Sequence, residues 1–448
     1  MDFDKYKQKM NFLKIKILQQ NLKKLASLQL AIYLLFIIGI LIGIGTVIEQ
    51  DQPLSFYQEN YPENNAILGF ISWKFIILFQ LNEIYNSYWF FLILVFFGAT
   101  LISCTFTTQL PSLKQFRLWR FIKDYKRLNK FGSSDNFVKL STNSIFYLLN
   151  TKNYHTFRQA EKNYAYSGLL GRFAPIVVHF SILLLLFGSS VGLLCGYTAQ
   201  EIVPRGEIFH VQNLIKSGSF SNVSQNLSWR INDFWITYTK EFKTNQFYSD
   251  LSLLDISGNE IKRKTIFVNE PFFYDSLTLY QTDWNIIGIK FRLNDENKIV
   301  QVPLKKISKG GRNFWFGSVP LGNNKKEELL LVVNDLRGNI YIYSKKGNLI
   351  SECELGQKVF FNNNQSIALY DFITSTGLQI KIDPGLRIVY LSFFLLICST
   401  YISFVSYSQI WGIEKKDRLF LAGTSNRAVL YFQEEFRKIK YKISLTKT

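Results

Sequence analysis

The side chains best suited to metal or thiol chemistry are few: three histidines, His155, His179 and His210, and four cysteines, Cys104, Cys195, Cys353 and Cys398. His179 stands in an uncharged run, Phe173 to Gln200, seven residues beyond Arg172. At ~1.5 Å per helical residue it lies roughly 10 Å inside that run. An ionisable group in hydrocarbon is costly and marks a functional site by default. A neutral imidazole at that depth suits axial ligation of haem iron, or else a hydrogen bond to a neighbouring helix. His155 falls in a basic loop and His210 in the polar stretch RGEIFHVQN, both expected at the surface. The cysteines form no CxxC, no CxxCH and no zinc spacing, which excludes thiol–disulfide exchange and c-type haem attachment on this chain. There is no P-loop, no GxGxxG at a strand–helix junction and no nucleophile–base pairing that would mark a hydrolase.

The elements that must position these residues are membrane helices. Four runs carry no formal charge: Leu28 to Ile48, Ile84 to Leu113, Phe173 to Gln200 and Ile388 to Ile413. Each supplies the roughly 20 apolar residues that span a hydrocarbon core of about 30 Å. The first run follows a long basic segment and lacks a small-residue cleavage site, so it reads as a retained helix. Charge sets the orientation. Residues 1–26, 108–173 and 409–448 hold 28 Lys/Arg against nine Asp/Glu, an excess equal to the whole-chain net charge of +19. Residues 49–87 hold one lysine, Lys74, against five acids. By the positive-inside rule both termini and the loop joining helices two and three face the cytoplasm or stroma. The basic balance is therefore a topology signal, not evidence for nucleic-acid binding.

The sequence divides accordingly. Residues 1–26 form a basic amphipathic segment and 27–113 carry helices 1 and 2, with an interfacial or re-entrant stretch expected over Ala66 to Leu81. Residues 114–172 form a basic loop with a short aromatic helix (Leu118 to Tyr125) and a small strand pair. Residues 173–196 form helix 3, 197–385 a soluble domain, 386–410 helix 4, and 411–448 a basic tail with an amphipathic helix over Ala428 to Lys438 and Trp411 at the membrane exit. In the soluble domain, Ile287, Ile289, Phe291 and Leu293 alternate with Gly288, Lys290 and Arg292, the period-two pattern of a half-buried strand. NDEN should turn that strand back into KIVQVPL. Ser257-Gly258-Asn259-Glu260, Arg337-Gly338-Asn339 and Lys346-Gly347-Asn348 read as further hairpin turns, and Leu329 to Asn334 and Asn339 to Tyr343 as strands flanking one of them. The expected fold is thus four transmembrane α-helices plus a large, mostly antiparallel β domain, a sandwich or open barrel, between helices three and four.

Several segments resemble the ResB-type cytochrome c biogenesis proteins of the System II haem-delivery and ligation machinery. They are LKKLASLQLAIYLLFIIGILIGIGTVIEQ, NEIYNSYWFFLILVFFGATLISCTF, AEKNYAYSGLLGRFAPIVVHFSILLLLFGS, VNEPFFYDSLTLYQTDW, DPGLRIVYLSFFLLICSTYISFVSYSQIW and AGTSNRAVLYFQEEF. Their order covers nearly the whole chain; loops 114–172 and 300–330 are not matched. The resemblance implies a membrane subunit that helps carry haem across the membrane and present it to apocytochrome c. It would work with a Trp-rich haem-handling membrane partner of the CcsA/ResC type. The Trp-rich motif is absent here, since the eight tryptophans are scattered. The family's third-helix histidine matches His179, which implies a haem axial ligand, with haem b as a transient, substrate-like cofactor and the second ligand from the partner. The chain would be a non-catalytic assembly factor or a subunit of a haem ligase complex. Resemblance to algal plastid members, with a composition rich in Lys, Asn, Ile and Phe, implies a thylakoid membrane with the soluble domain in the lumen, the alternative being a bacterial plasma membrane. A soluble-domain surface formed by Tyr280, Gln281 and Trp284 is one candidate contact with apocytochrome, against a plain packed hairpin. The competing function classes are a membrane-anchored binding or sensor protein whose β domain binds a ligand without haem, and a transporter subunit, which would more often show inverted helix-broken repeats.

Overall fold

The computed structural model describes residues 17 and 19–445, apart from 66–70, 117–120, 123, 129–130, 132, 139–141, 224–226, 241–242, 294–298, 310–311, 321–327, 363–364 and 416–417. The expected amphipathic helix at 1–26 lies mostly outside these residues, as do the NDEN turn and most of the aromatic helix at 118–125. The described chain forms two compact units, residues 1–189 with 387–448, and residues 190–386.

Four helices are long and apolar enough to cross a membrane: α1 (Leu28–Val47), α2 (Tyr88–Leu113), α3 (Ala174–Cys195) and α4 (Leu386–Ser403). Ser27 caps α1 by accepting from the Leu30 N–H at 3.3 Å, which satisfies one of the orphan donors of a helix start. The helices pack where side chains are small or interdigitate. Leu34 and Ile38 of α1, Phe97 and Leu101 of α2, and Leu183 and Leu186 of α3 form one apolar cluster. Gly98 of α2 sits against Leu183 and Leu186, and Gly188 of α3 against Ile388 and Val389 of α4. Buried Ser181, Ser392 and Ser399 add the small residues that let helix backbones approach in lipid. The apolar side chains facing outward, among them Phe36, Phe180, Phe394 and Tyr401, are exposed, as lipid-facing positions must be.

Between α1 and α2 a short helix, Trp73–Leu78, occupies the described part of the expected re-entrant stretch, and a 3₁₀ turn, Leu81–Asn86, follows it. The same unit also contains an element that the sequence reading did not assemble. A five-stranded antiparallel sheet joins Ser133–Val138 and the hairpin His155–Gln159/Lys162–Ser167 to Ser408–Lys415 and Arg418–Ser425. The helices Thr142–Asn150 and Val429–Leu445 pack on it through Ile145, Leu149, Phe432, Phe436 and Ile439. This corrects the expected end of helix 4: α4 stops at Ser403, and residues 408–410 begin a strand. The uncharged sequence SYSQIWGI fits a buried strand as well as a membrane helix, so composition alone misplaced the boundary. Trp411 is buried against Phe131, with ring centroids 4.9 Å apart, instead of marking a membrane exit.

The described strands of the second unit all pair antiparallel. Two long strands, Leu277–Leu293 and Gln365–Ile382, pair along their whole length and run through two cores. At one end Leu277, Leu279, Leu378 and Ile380 pack with Trp229, Ile231, Leu251 and Leu253. At the other, Ile286, Ile289, Phe291, Ile367 and Leu369 pack with Trp315, Leu331, Val333 and Ile342. A seven-stranded sheet is thus shared between a four-stranded and a five-stranded sheet. The three predicted glycine turns carry Gly258, Gly338 and Gly347 at positive φ. The predicted strand alternation over Ile287 to Leu293 needs one correction. A bulge between Ile286 and Gly288 slips the register, so Ile286, with Ile289 and Phe291, faces the core while Ile287 does not.

Candidate haem-ligand site on the third membrane helix

His179 lies in the second turn of α3, near the end of the helix joined to the 114–172 segment. It shares one face with Leu183 and Leu186, the i, i+4, i+7 stripe that meets α2 at Gly98. Opposite it, α2 is not regular. The five residues Thr105–Gln109 form a π-helical turn, closed by the Leu110 N–H donating to the Thr105 carbonyl. Such turns break the α-ladder at a cost and cluster at functional sites. Thr105 and Gln109, one turn apart, bracket the imidazole.

Proton counting fixes the ring. Thr105 Oγ1 lies 2.8 Å from the Leu101 carbonyl, to which only the hydroxyl can donate. Its single proton being committed there, Oγ1 accepts from His179 Nδ1–H at 3.1 Å. Nε2 therefore keeps its lone pair, and it accepts from the Gln109 side-chain amide at 3.0 Å. Gln109 Oε1 is buried and has no hydrogen-bond partner among the described residues. The arrangement presents a neutral imidazole in one tautomer, with the unprotonated Nε2 turned toward Gln109 of α2. A hydrogen bond on the remote nitrogen is the usual support of a metal-ligating histidine, because it fixes the ring and raises its basicity.

The entrance to α3 is held by glycines. Gly171, in the 3₁₀ turn Leu169–Arg172, places its Cα so that an added Cβ would lie 1.9 Å from the Val405 carbonyl oxygen. Arg172 stacks its guanidinium on the Tyr407 ring, 4.8 Å from the centroid. Tyr407 Oη pairs with Tyr164 Oη at 3.1 Å, and the Gln409 amide donates to both hydroxyls. Burial raises the Tyr407 phenol well above its ordinary pKa, so its hydroxyl stays protonated at physiological pH.

The other sequence candidates are not brought to this site. His155 is exposed on the sheet beside Tyr166, centroids 5.2 Å apart. His210 is exposed in the β unit, its Nδ1–H donating to the Leu227 carbonyl at 3.2 Å. All four cysteines are free. Cys353 is buried beneath the Glu354 and Gln357 carbonyls, and burial pushes its thiol pKa up. Tyr280, Gln281 and Trp284 do not form one surface: Tyr280 is exposed, Gln281 is buried and donates to Thr376 Oγ1 at 3.3 Å, and Trp284 packs against Trp315. Sequence reasoning did not single out Thr105 and Gln109. The available signal was a run of uncharged polar side chains, Thr105, Thr107, Thr108 and Gln109, toward the end of that span.

Comparison with known proteins bears on what this architecture serves. The ResB-like family pattern matches residues 28–329 and 323–437. The chain belongs to the ResB-like family. It is 61% identical over 417 residues, 93% of its length and 94% of the relative's, to the cytochrome c biogenesis protein Ccs1 of Emiliania huxleyi. It is 45% identical over 419 residues, 93% and 94% of the two lengths, to Ccs1 of Pyropia yezoensis. It is 40% identical over 420 residues, 94% and 95%, to the cytochrome c biogenesis protein CcsB of Thermosynechococcus vestitus. The four-helix layout and the antiparallel β unit between α3 and α4 are those expected of a ResB-like chain.

Proposed function

We propose that this chain is a membrane subunit for c-type cytochrome biogenesis that helps move haem across the membrane and present it to apocytochrome c. One observation carries the reading beyond the family assignment: a half-buried histidine in a membrane-length apolar helix, whose Nδ1–H is held by Thr105 and whose Nε2 lone pair faces the Gln109 amide. His179 would ligate the haem iron through Nε2, with haem b as a transient cargo. A six-coordinate iron then needs a second axial ligand from elsewhere. In this reading a Trp-rich membrane partner of the CcsA/ResC type supplies it. Chain topology supports the direction of transfer: by the positive-inside rule His179 lies on the side of the termini and the β unit on the opposite side. The algal relatives favour a thylakoid membrane with the β unit in the lumen, where it would brace the partner or hold apocytochrome c. The chain acts as an assembly factor or a ligase subunit, touches haem, partner and lipid, and has no nucleic-acid role.

Co-purification with the partner tests this. Wild type should carry a Soret band that His179→Ala loses or shifts. Haem retained unchanged in the variant would remove His179 from the path and favour an anchored binding protein.

A further inference from the structure

Resting on the ligand reading of His179, we infer that Thr105 and Gln109 form a two-ended clasp on this imidazole, Thr105 fixing the tautomer and Gln109 acting as a displaceable cap on Nε2. The geometry of the π-turn carries the inference. The hydrogen-bond chain Leu101 carbonyl–Thr105 Oγ1–His179 Nδ1–H runs in one direction only, so the proton is locked on Nδ1 and the lone pair on Nε2. An imidazole in hydrocarbon that lost this partner would interconvert between tautomers, and in one of them Nε2 could bind no metal.

The Gln109 end has the opposite character. Its amide N–H₂ satisfies Nε2 at 3.0 Å while its own Oε1 stays buried and without a partner among the described residues. A buried acceptor left unpaired offsets most of what the single bond gains. The amide is therefore held weakly, and it occupies the direction from which iron must approach. A flexible side chain can swing away by rotation about its own χ angles, whereas a backbone donor at that place would have to be unwound. The cap keeps a buried nitrogen satisfied between cargoes, and its displacement sets how readily the ligand is exchanged. Weak, exchangeable binding is what a carrier needs and a resident haem protein does not. Thr105 and Gln109 are positioning residues here; neither touches the iron.

Two measurements on the full chain separate this clasp from the ligand reading itself. Only three histidines are present, so ¹⁵N-histidine labelling in lipid nanodiscs, with His179→Ala for assignment, reads the tautomer without haem. Wild-type His179 should show protonated Nδ1 and unprotonated Nε2. Thr105→Val should abolish that bias and Thr105→Ser should restore it. Nε2–H in wild type, or no change in Thr105→Val, overturns the clasp whatever haem does. Titration of the partner complex with haem then reads the cap. Gln109→Leu should tighten binding about two- to three-fold, the low end of a neutral hydrogen bond's weight, since the bond no longer to be broken is largely offset by the unpaired Oε1. Thr105→Val should weaken it about ten-fold or more, as for other partners of metal-bound histidines. Unchanged or weakened affinity in Gln109→Leu overturns the cap. Haem indifferent to His179→Ala overturns the ligand reading and the cap with it, even where the tautomer result holds.

Discussion

Gly171→Ala is a single methyl group whose effect should be large and directed. At Gly171 the new Cβ would lie 1.9 Å from the Val405 carbonyl oxygen and 3.0 Å from its carbon, both backbone atoms. No rotamer change relieves that clash, so the turn before α3 and the segment after α4 must separate by more than about 1 Å to restore an ordinary contact. Overpacking of this kind costs about 1–3 kcal/mol. The stacking of Arg172 on Tyr407 would loosen with it and bring the loss toward the top of that range. Gly39 is the control: it sits in α1 with nothing within 4 Å of its added Cβ, and Ala there should be neutral or stabilise by up to about 1 kcal/mol through helix propensity. Circular dichroism at 222 nm during thermal unfolding in detergent reports this unit, because apart from the end of α3 the regular elements among the described residues between α3 and α4 are strands. The expected result is a lowered midpoint for Gly171→Ala and none for Gly39→Ala. Equal midpoints would refute the close packing of residues 168–172 against 405–406 that sets where α3 begins.

The β unit yields further predictions. Trp315→Ala should destabilise it by about 3–5 kcal/mol, since Trp315 is fully buried and its Nε1–H donates to Asn285 Oδ1 at 2.6 Å; chemical denaturation followed by tryptophan fluorescence would check this. Cys353, read by peptide mapping after thiol labelling, should stay unlabelled in the folded protein. Because its pKa is raised by burial, its labelling should not climb between about pH 7 and 9 as that of an exposed thiol near 8.5 does, and it should appear only on unfolding. Between α1 and α2, Tyr57→Phe should cost about 1–2 kcal/mol, because the fully buried hydroxyl donates to the Glu49 carbonyl and accepts from the Gln52 N–H; the 222 nm melt reads it.

What could be read from residues alone was what depends on local pattern. The four spans follow from uncharged length, and the hairpins around Gly258, Gly338 and Gly347 from turn chemistry with alternating neighbours. The depth of His179 follows from its distance to Arg172. What could not be read depends on pairing between distant segments. Strands 133–138 and 155–167 find 408–425 across the intervening α3, β unit and α4, and nothing in either stretch names the other. The same pairing explains the misplaced end of α4, since Ser408–Lys415 belongs to the sheet once partners exist. The bulge at Ile286 and Gly288 shifts one face of a strand whose pattern read as regular. The π-turn at Thr105 is likewise silent in sequence, although a run of uncharged polar side chains toward the end of a membrane span is a signal that can be sought.

The central claim is that His179 is a haem ligand. The most direct test is the visible absorption spectrum of the chain purified together with the Trp-rich membrane protein proposed as its partner, wild type against His179→Ala. The account predicts a Soret band in wild type that is lost or shifted in the variant. An identical band in both, at equal haem content, would contradict it.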